Sequence, residues 1–415
     1  MFLENIFILL RNKVVLTGGR LDQTKIIWFY PASMDTGRCD DFNMIWQELY
    51  KEYFGENADN NLFSISESAA PYNYYRKKRG AKSDVVTIDI GGGTTDVYIV
   101  ENDKPQMLLS FVFASNAIFG DALRWDSDSN GFVQLYFQQF QEVLNSNGLQ
   151  ELESTLKEIE SRKNSSDIVA FLFSLITNKQ VNKNQALDFL LKLSQNKKMK
   201  YIFIIFYGAI LYYIAKSMKA KGLKRPLTLA FSGNGSKTLR ILSPNNATIG
   251  EFARLIFDSV YGSEGNRLDV IYEEEPKKAT CKGGILQPVK QTPNDIKPIK
   301  FTLIGDNLEE IPDKKVKFEE LIEESKESIV NSVLEFIDFL FKLHDDNDEF
   351  LTRSLGADEN IIDKVKEFAK DKTELSQSLQ SALKGKKGSK NIEETLFFYP
   401  LVGILHELAQ AISKE

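Results

Sequence analysis

Val85-Val86-Thr87-Ile88-Asp89-Ile90-Gly91-Gly92-Gly93-Thr94-Thr95-Asp96 is the stretch that decides the fold. A nearly unbroken apolar run carries Asp89 to its end and stops on three glycines, which reads as a buried strand over 85–90 closing in a tight turn. Glycine lets the backbone turn sharply and approach a ligand closely. Successive backbone N–H groups in such a turn form a nest for anions. Thr94 and Thr95 add hydroxyl donors, and Asp89 and Asp96 bring two carboxylates beside it. Carboxylates next to an anion site make chemical sense when Mg²⁺ stands between them, held through its waters. The competing reading is a glycine-rich hairpin turn with no ligand. A bare glycine triplet would favour that reading; the flanking acids and strands favour the site.

Working outward, Thr95 to Val100 resumes the strand pattern. Past a turn at Asn102-Asp103, Gln106 to Ala114 continues it, so the three strands make an antiparallel meander. Upstream, Lys25 to Tyr30 is an apolar strand stopped by Pro31. Phe42, Ile45, Trp46, Leu49, Tyr50 and Tyr53 recur at helical spacing, and Asn61 to Ser66 is a second strand. Strand, helix, strand at this spacing predicts a βαβ unit and a partly parallel sheet. From about Gly131 to Ala220 the pattern is mostly helical, with polar breaks at 145–148 and 162–166. Leu227 to Phe231 is a strand running into Ser232-Gly233-Asn234-Gly235-Ser236, and Ile249 to Val260 is a helix. After Pro288 the character changes. Phe301 to Ile304 reads as a strand, and Phe318, Leu321, Ile322, Ser325, Ile329, Val333, Phe336, Ile337 and Leu340 trace one face of a long helix. Ile361 to Phe368 and Leu396 to Ile412 are helical, and Lys384 to Lys390 is a basic linker. No internal repeat is visible in the sequence.

Composition narrows the function classes. The 415 residues suit two to four domains or subdomains at about 100–200 residues each. Lys and Arg number 52 against 58 Asp and Glu, a net charge of −6 that argues against a dedicated nucleic-acid binder. Two cysteines, Cys39 and Cys281, cannot build a disulfide framework or a zinc site, and this fits a reducing cytoplasm. Ile6 to Leu10 lacks the basic flank and small-residue cleavage site of a signal peptide. The strongest apolar run, Tyr201 to Ala215, spans 15 residues and holds four tyrosines. It is shorter than the ~20 residues a membrane-spanning helix needs, and reads as a buried helix.

Val86 to Val97 resembles the second phosphate motif of the actin/Hsp70/sugar-kinase superfamily. Three further resemblances follow in the family's order over residues 25–286. Ile65-Ser66-Glu67-Ser68-Ala69-Ala70 is similar to the first connecting motif, where a Glu and small residues start an interdomain helix. Leu229 to Lys237 is similar to the adenosine motif, and Ala279 to Leu286 to the second connecting motif, a helix of small residues. Hsp70-type ATPase domains and bacterial actin-like proteins are closest in texture. The resemblance implies an α/β fold of actin-like (ribonuclease H-like) type with a helical insertion and a mainly helical C-terminal region. Residues 1–80 would be the remainder of a first lobe. Residues 81–288 would be a second lobe with its insertion at about 131–200, and 289–415 the helical region.

Roles follow from the resemblance residue by residue. ATP and Mg²⁺ are the implied cofactors. Gly91, Gly92, Gly93, Thr94 and Thr95 would hold the β- and γ-phosphates, and Asp89 and Asp96 would orient the magnesium waters. Glu67 would sit near the same waters, a candidate to orient the attacking one; as plain sequence it is equally a charge favoured at a helix N-terminus. Gly233, Asn234 and Gly235 would let adenosine lie on the backbone, with Lys237 or Arg240 near the base; Lys237 reads equally as a solvated side chain. Gly283 and Gly284 would allow close packing at the hinge. One departure stands out: the family's first phosphate motif, Asp-x-Gly-Thr/Ser on an N-terminal hairpin, has no counterpart. Asp35-Thr36-Gly37 imitates it in the wrong place and reads as a loop. Either the sequence is an N-terminally shortened piece of a longer protein, or this member has lost half of its phosphate clamp. ATP hydrolysis would then need the missing motif, because phosphoryl transfer rests on positioning and electrostatics. Three functions stay open: a nucleotide-dependent conformational switch docking a protein partner through its C-terminal helices, a non-catalytic scaffold or self-associating filament subunit, and a small-molecule kinase.

Overall fold

The computed structural model describes residues 2–31, 34, 36–121, 130–286, 318, 323–358, 361–369, 371–384 and 395–415. Strands β1 (Ile26–Tyr30) and β2 (Leu62–Ser66) pair in parallel, from Ile26 opposite Leu62 to Tyr30 opposite Ser66. Helix α1 (Phe2–Leu16) precedes β1. Helix α2 (Thr36–Phe54) and the single turn α3 (Ala58–Asn61) join the strands, and α4 (Ala69–Lys78) follows β2. This is the expected βαβ unit. The buried residues of β1 alternate, and Trp28 stacks on Trp46 of α2 with ring centroids 5.6 Å apart. Asp35 lies outside the described residues, whereas Thr36 and Gly37 open α2 rather than a loop. Threonine and Asp before a helical apolar pattern suit a helix start.

The second sheet holds β3 (Val85–Ile90), β4 (Thr95–Glu101), β5 (Lys104–Phe111), β6 (Thr228–Ser232) and β7 (Asp269–Tyr272) in the order β5-β4-β3-β6-β7. The first three form the antiparallel meander, while β6 joins β3 in parallel and β7 joins β6 in parallel. Asn102 and Asp103 both have positive φ, 53° and 58°, as a two-residue hairpin turn requires. The expected third strand is displaced upstream. It starts at Lys104 and includes Pro105, which an edge strand tolerates because it need not donate outward.

Between β5 and β6 run α5 (Asn116–Phe119), α6 (Gly131–Ser146), α7 (Gln150–Ser161), α8 (Ser165–Leu175), α9 (Phe189–Gln195) and α10 (Lys197–Ala220). The α6–α7 and α7–α8 breaks fall at the two polar stretches. Short Asn-capped turns give α6 and α10 clean starts: the Asn130 side chain accepts from the Phe132 and Val133 amides, and Asn196 accepts from the Met199 amide. Among the described residues α10 alone has the length and apolarity to cross a bilayer. However, 94% of its most apolar window is buried within the structure, so it is a core helix.

Beyond β6 come α11 (Leu239–Leu242) and α12 (Asn246–Tyr261); after β7 come α13 (Pro276–Leu286), α14 (Glu323–Asp346), α15 (Ile361–Ala369), α16 (Lys372–Lys384) and α17 (Phe398–Ser413). The expected strand 301–304 and most of the basic linker lie outside the described residues. The last four helices share one hydrophobic core with the meander and the α6–α10 insertion. Phe398 of α17 stacks on Phe111 and Phe113, centroids 4.5 Å from each. Such aromatic contacts add about 0.5–1.5 kcal/mol each beyond their buried area. The apolar faces of these helices are therefore spent inward.

The structure also contains a repeat that the sequence does not display. Apart from single turns, α1–β1–α2–β2–α4 and α10–β6–α12–β7–α13 run in the same order: helix, strand, helix, parallel strand, helix. The closing helices α4 and α13 pack on one another. A Cβ on Gly283 would stand 1.7 Å from the Ala70 carbonyl oxygen, so only glycine permits this approach.

Candidate functional site

Two glycine turns meet at the ends of neighbouring strands. Parallel pairing sets Asp89 of β3 opposite Ser232 of β6, so the chain leaves both strands at the same end of the sheet. Gly233 then enters at φ +77°. A Cβ there would fall 2.3 Å from the Ile90 carbonyl oxygen and 2.5 Å from Asp89 Oδ1. A Cβ on Gly235 would fall 2.7 Å from the Gly91 carbonyl oxygen. Sequence reasoning required Gly91–Gly93 and Gly233–Gly235 to converge, and they do.

The first turn is held from behind. The Gly91 amide donates to the Thr94 carbonyl at 2.9 Å, the Ser115 hydroxyl donates to the Gly91 carbonyl at 2.9 Å, and the Asn116 amide donates to the Gly92 carbonyl at 2.8 Å. Gly92, Gly93 and Thr94 are exposed. Thr95 departs from its expected role: it is buried, and its hydroxyl donates to the Phe113 carbonyl at 2.6 Å. That hydroxyl anchors the turn and is not directed at a ligand. The second turn is a short 3-10 segment, Asn234–Thr238, closed by the Ser236 hydroxyl on the Gly233 carbonyl at 2.7 Å. Asn234 and Lys237 project to the surface. Arg240 is occupied elsewhere. Its guanidinium lies 3.9 Å from the Tyr272 ring centroid and donates to the Pro244 carbonyl and to Asn246 Oδ1, both at 2.8 Å.

Three carboxyl groups gather beside these turns. Asp89 and Asp96 are direct cross-strand partners in the β3–β4 hairpin. Glu67 directly follows β2, and its amide donates to the Tyr30 carbonyl at 3.0 Å. Burial pushes Glu67 up to about 7, and the charges of Asp96 and Asp89 push the same way against the opposing Lys277. Burial likewise pushes Asp96 up to about 6, opposed by a hydrogen bond from Ser110 and raised further by Asp89. Asp89 is raised by burial and partly restored by Ser232 and Lys277. Carboxyl groups whose charged forms are disfavoured together mark a site that gains from a cation. Among the described residues no group of three or more His, Cys, Asp or Glu side chains is placed to hold a metal ion by itself. Asp89 and Asp96 fit Mg²⁺ only with waters and a phosphate completing its shell, the usual arrangement for that ion.

Two contributors had no assigned role in the sequence reading. The Ser232 hydroxyl donates to Asp89 Oδ2 at 2.8 Å and fixes that carboxylate. It was legible in principle as the hydroxyl just before the second glycine turn. Lys277, in the first turn of α13, supplies the positive charge that Glu67 and Asp89 both feel. No local motif announces it.

No protein-family model matches the chain, and no curated protein matches it. Among solved structures it is similar to the ethanolamine utilization protein EutJ from Carboxydothermus hydrogenoformans, at 13% identity and a TM-score of 0.30 over 63% of this chain and 65% of that one. It is also similar to MreB5 of Spiroplasma citri bound to ADP, at 12% identity and a TM-score of 0.30 over 68% and 73% of the two chains. The chain thus spans just under two thirds of the EutJ structure. Overlap this loose bears on neither ligand nor activity. The fold stands on its own elements: an α/β protein with a two-stranded parallel sheet, a five-stranded mixed sheet and extensive helical regions, in which each of the four quoted motif segments takes the strand, turn or helix expected of it.

Proposed function

We propose that the chain binds ATP and ADP with Mg²⁺ between the two glycine turns and acts as a nucleotide-dependent conformational switch. One observation carries the reading: the exposed Gly92–Thr94 turn and the Gly233–Gly235 turn converge beside Asp89, Asp96 and Glu67, below the crossing of α4 and α13. The Gly91–Thr94 amides would cradle phosphate. Asp89 and Asp96 would orient magnesium waters, and Glu67 would sit where an attacking water is steered. Bound Mg²⁺ would supply charge neutralisation of the phosphates. Gly233, Asn234 and Gly235 would present backbone to the adenosine, with Lys237 at its rim.

A ligand that contacts groups on both sides of the α4–α13 crossing can bias their relative position, and a bias of that kind is what a switch needs. Slow hydrolysis or none is the expectation for this chain, since its sequence carries one phosphate turn rather than two. A protein partner would meet the outer, polar faces of the C-terminal helices, because their apolar faces are buried. Calorimetric titration of ATP and ADP, with and without Mg²⁺, combined with phosphate release on the same purified protein, tests the reading. Absence of binding at millimolar nucleotide would remove it.

A further inference from the structure

The first glycine turn has a polar neighbour that the sequence motifs do not include. Asn116 opens α5, and its backbone amide already holds the Gly92 carbonyl at 2.8 Å. Its side chain borders the same residue: a Cβ on Gly92 would stand 3.7 Å from Asn116 Oδ1 and 3.8 Å from Nδ2. Beside it the turn is open, because among the described residues no heavy atom beyond the chain neighbours comes within 4 Å of a Cβ built on Gly93. Gly92, Gly93, Thr94 and Asn116 are all exposed.

The Asn116 carboxamide is oriented from the helical insertion. The Ser166 hydroxyl, in the first turn of α8, donates to Asn116 Oδ1 at 3.3 Å. Ser166 is itself held in place. The amide of the preceding Ser165 donates to Asp121 Oδ1 at 2.8 Å, and the Asn164 side chain caps α8 by accepting from the Asp167 amide at 3.0 Å. With Oδ1 engaged, the carboxamide retains two N–H donors on Nδ2. Among the described residues no group accepts from them. A donor fixed by a neighbouring element loses little freedom when it meets an acceptor. An anionic acceptor would make that hydrogen bond charge-assisted.

We propose that Asn116 is a further phosphate-binding residue, whose Nδ2 donates to a phosphate oxygen of the nucleotide, and that Ser166 is its positioning residue. The helical insertion thereby takes part in the grip of the glycine turn. This rests on the nucleotide reading of the site and adds to it a side-chain donor for the polyphosphate chain. Asn116→Asp separates that role from a structural one. It keeps the shape of the side chain and an oxygen for the Ser166 hydroxyl, but removes the donor and sets a negative charge beside the phosphates.

The test titrates Mg·ATP and magnesium tripolyphosphate into the parent chain and into Asn116→Ala, Asn116→Asp, Ser166→Ala and Ser166→Thr, with thermal unfolding confirming that each is folded. Asn116→Ala is expected to bind both ligands about tenfold more weakly, as loss of a hydrogen bond to a charged group implies. Asn116→Asp should lose more than Asn116→Ala. Ser166→Ala should lose about threefold, the share expected when a donor is kept but no longer oriented, and Ser166→Thr should bind like the parent. Parent-like binding by Asn116→Ala or by Asn116→Asp overturns the proposal while the nucleotide site stands. Parent-like binding by Ser166→Ala overturns the positioning role. A parent chain that binds neither Mg·ATP nor tripolyphosphate at millimolar concentration removes the nucleotide reading and the proposal with it.

Discussion

Gly233 faces the carboxylate of Asp89 so closely that a side-chain carbon at Gly233 would stand 2.5 Å from Asp89 Oδ1. The hydroxyl of the preceding Ser232 reaches the other oxygen of the same carboxylate at 2.8 Å. One acid is thereby gripped by the turn that the resemblance assigns to adenosine, while it sits at the mouth of the turn assigned to phosphate. The two halves of the candidate site are one mechanical unit.

Gly233→Ala is accordingly expected to damage the site from within. The residue is at φ +77°, where a side chain is strained, and the Ile90 carbonyl leaves no room for it. We expect a loss of about 1–3 kcal/mol in urea unfolding. Any nucleotide affinity should fall as well. A variant as stable as the parent would show that the turn relaxes freely.

Asp89→Ala should weaken binding of Mg·ATP about tenfold more than binding of ATP in EDTA, a difference of about 1.4 kcal/mol. The carboxylate acts on metal waters, so its loss is felt through the metal. Parallel titrations measure the ratio. Equal loss in both conditions would point to disturbed folding around Ser232.

The first meander strand and its glycine turn were legible because an apolar run ending in an acid and three glycines has few other meanings. The βαβ unit was legible from a clean change of period between Tyr30 and Phe42. Other features were not. Asp35-Thr36-Gly37 read as a loop because it imitated a turn, yet Thr36 and Gly37 begin α2. Thr95 read as a ligand donor because its neighbours do; only the three-dimensional path shows the Phe113 carbonyl waiting for its hydroxyl. The amphipathic C-terminal helices announced a buried face but not what it meets, and Phe398 against Phe111 is a contact no local pattern encodes. The repeat was invisible because strand–helix–strand geometry depends on periodicity, which many unrelated residues satisfy.

Glu67 and Asp96 give a pH signature. Both are raised in the folded protein, to about 7 and about 6, above their ordinary carboxyl values. The folded state therefore binds more protons than the unfolded state between about pH 4 and 7, and stability contributed by the protonated groups is lost as pH rises through 6 to 7. Glu67→Gln should raise the Tm relative to the parent at pH 8 and leave it unchanged at pH 4. Thermal scans across that range decide it; a Tm difference independent of pH would mean that Glu67 is not the titrating group.

Gly283→Ala should loosen the crossing of α4 and α13. Its Cβ would meet the Ala70 carbonyl oxygen at 1.7 Å, and backbone cannot rotate aside as a side chain can. Overpacking at such a contact costs about 1–3 kcal/mol. Chemical denaturation measures it, and an unchanged midpoint would show that the helices part without cost.

The central claim is that Gly91–Gly93 and Gly233–Gly235 form one nucleotide site. Isothermal titration of Mg·ATP and Mg·ADP into the parent chain and into Gly235→Val tests it most directly, with circular dichroism confirming that the variant is folded. We expect weak, saturable, one-site binding in the parent, with ATP and ADP affinities within about tenfold of each other, and no detectable heat from the folded variant. Absence of binding in the parent at millimolar nucleotide, or equal binding in the folded variant, would contradict the claim.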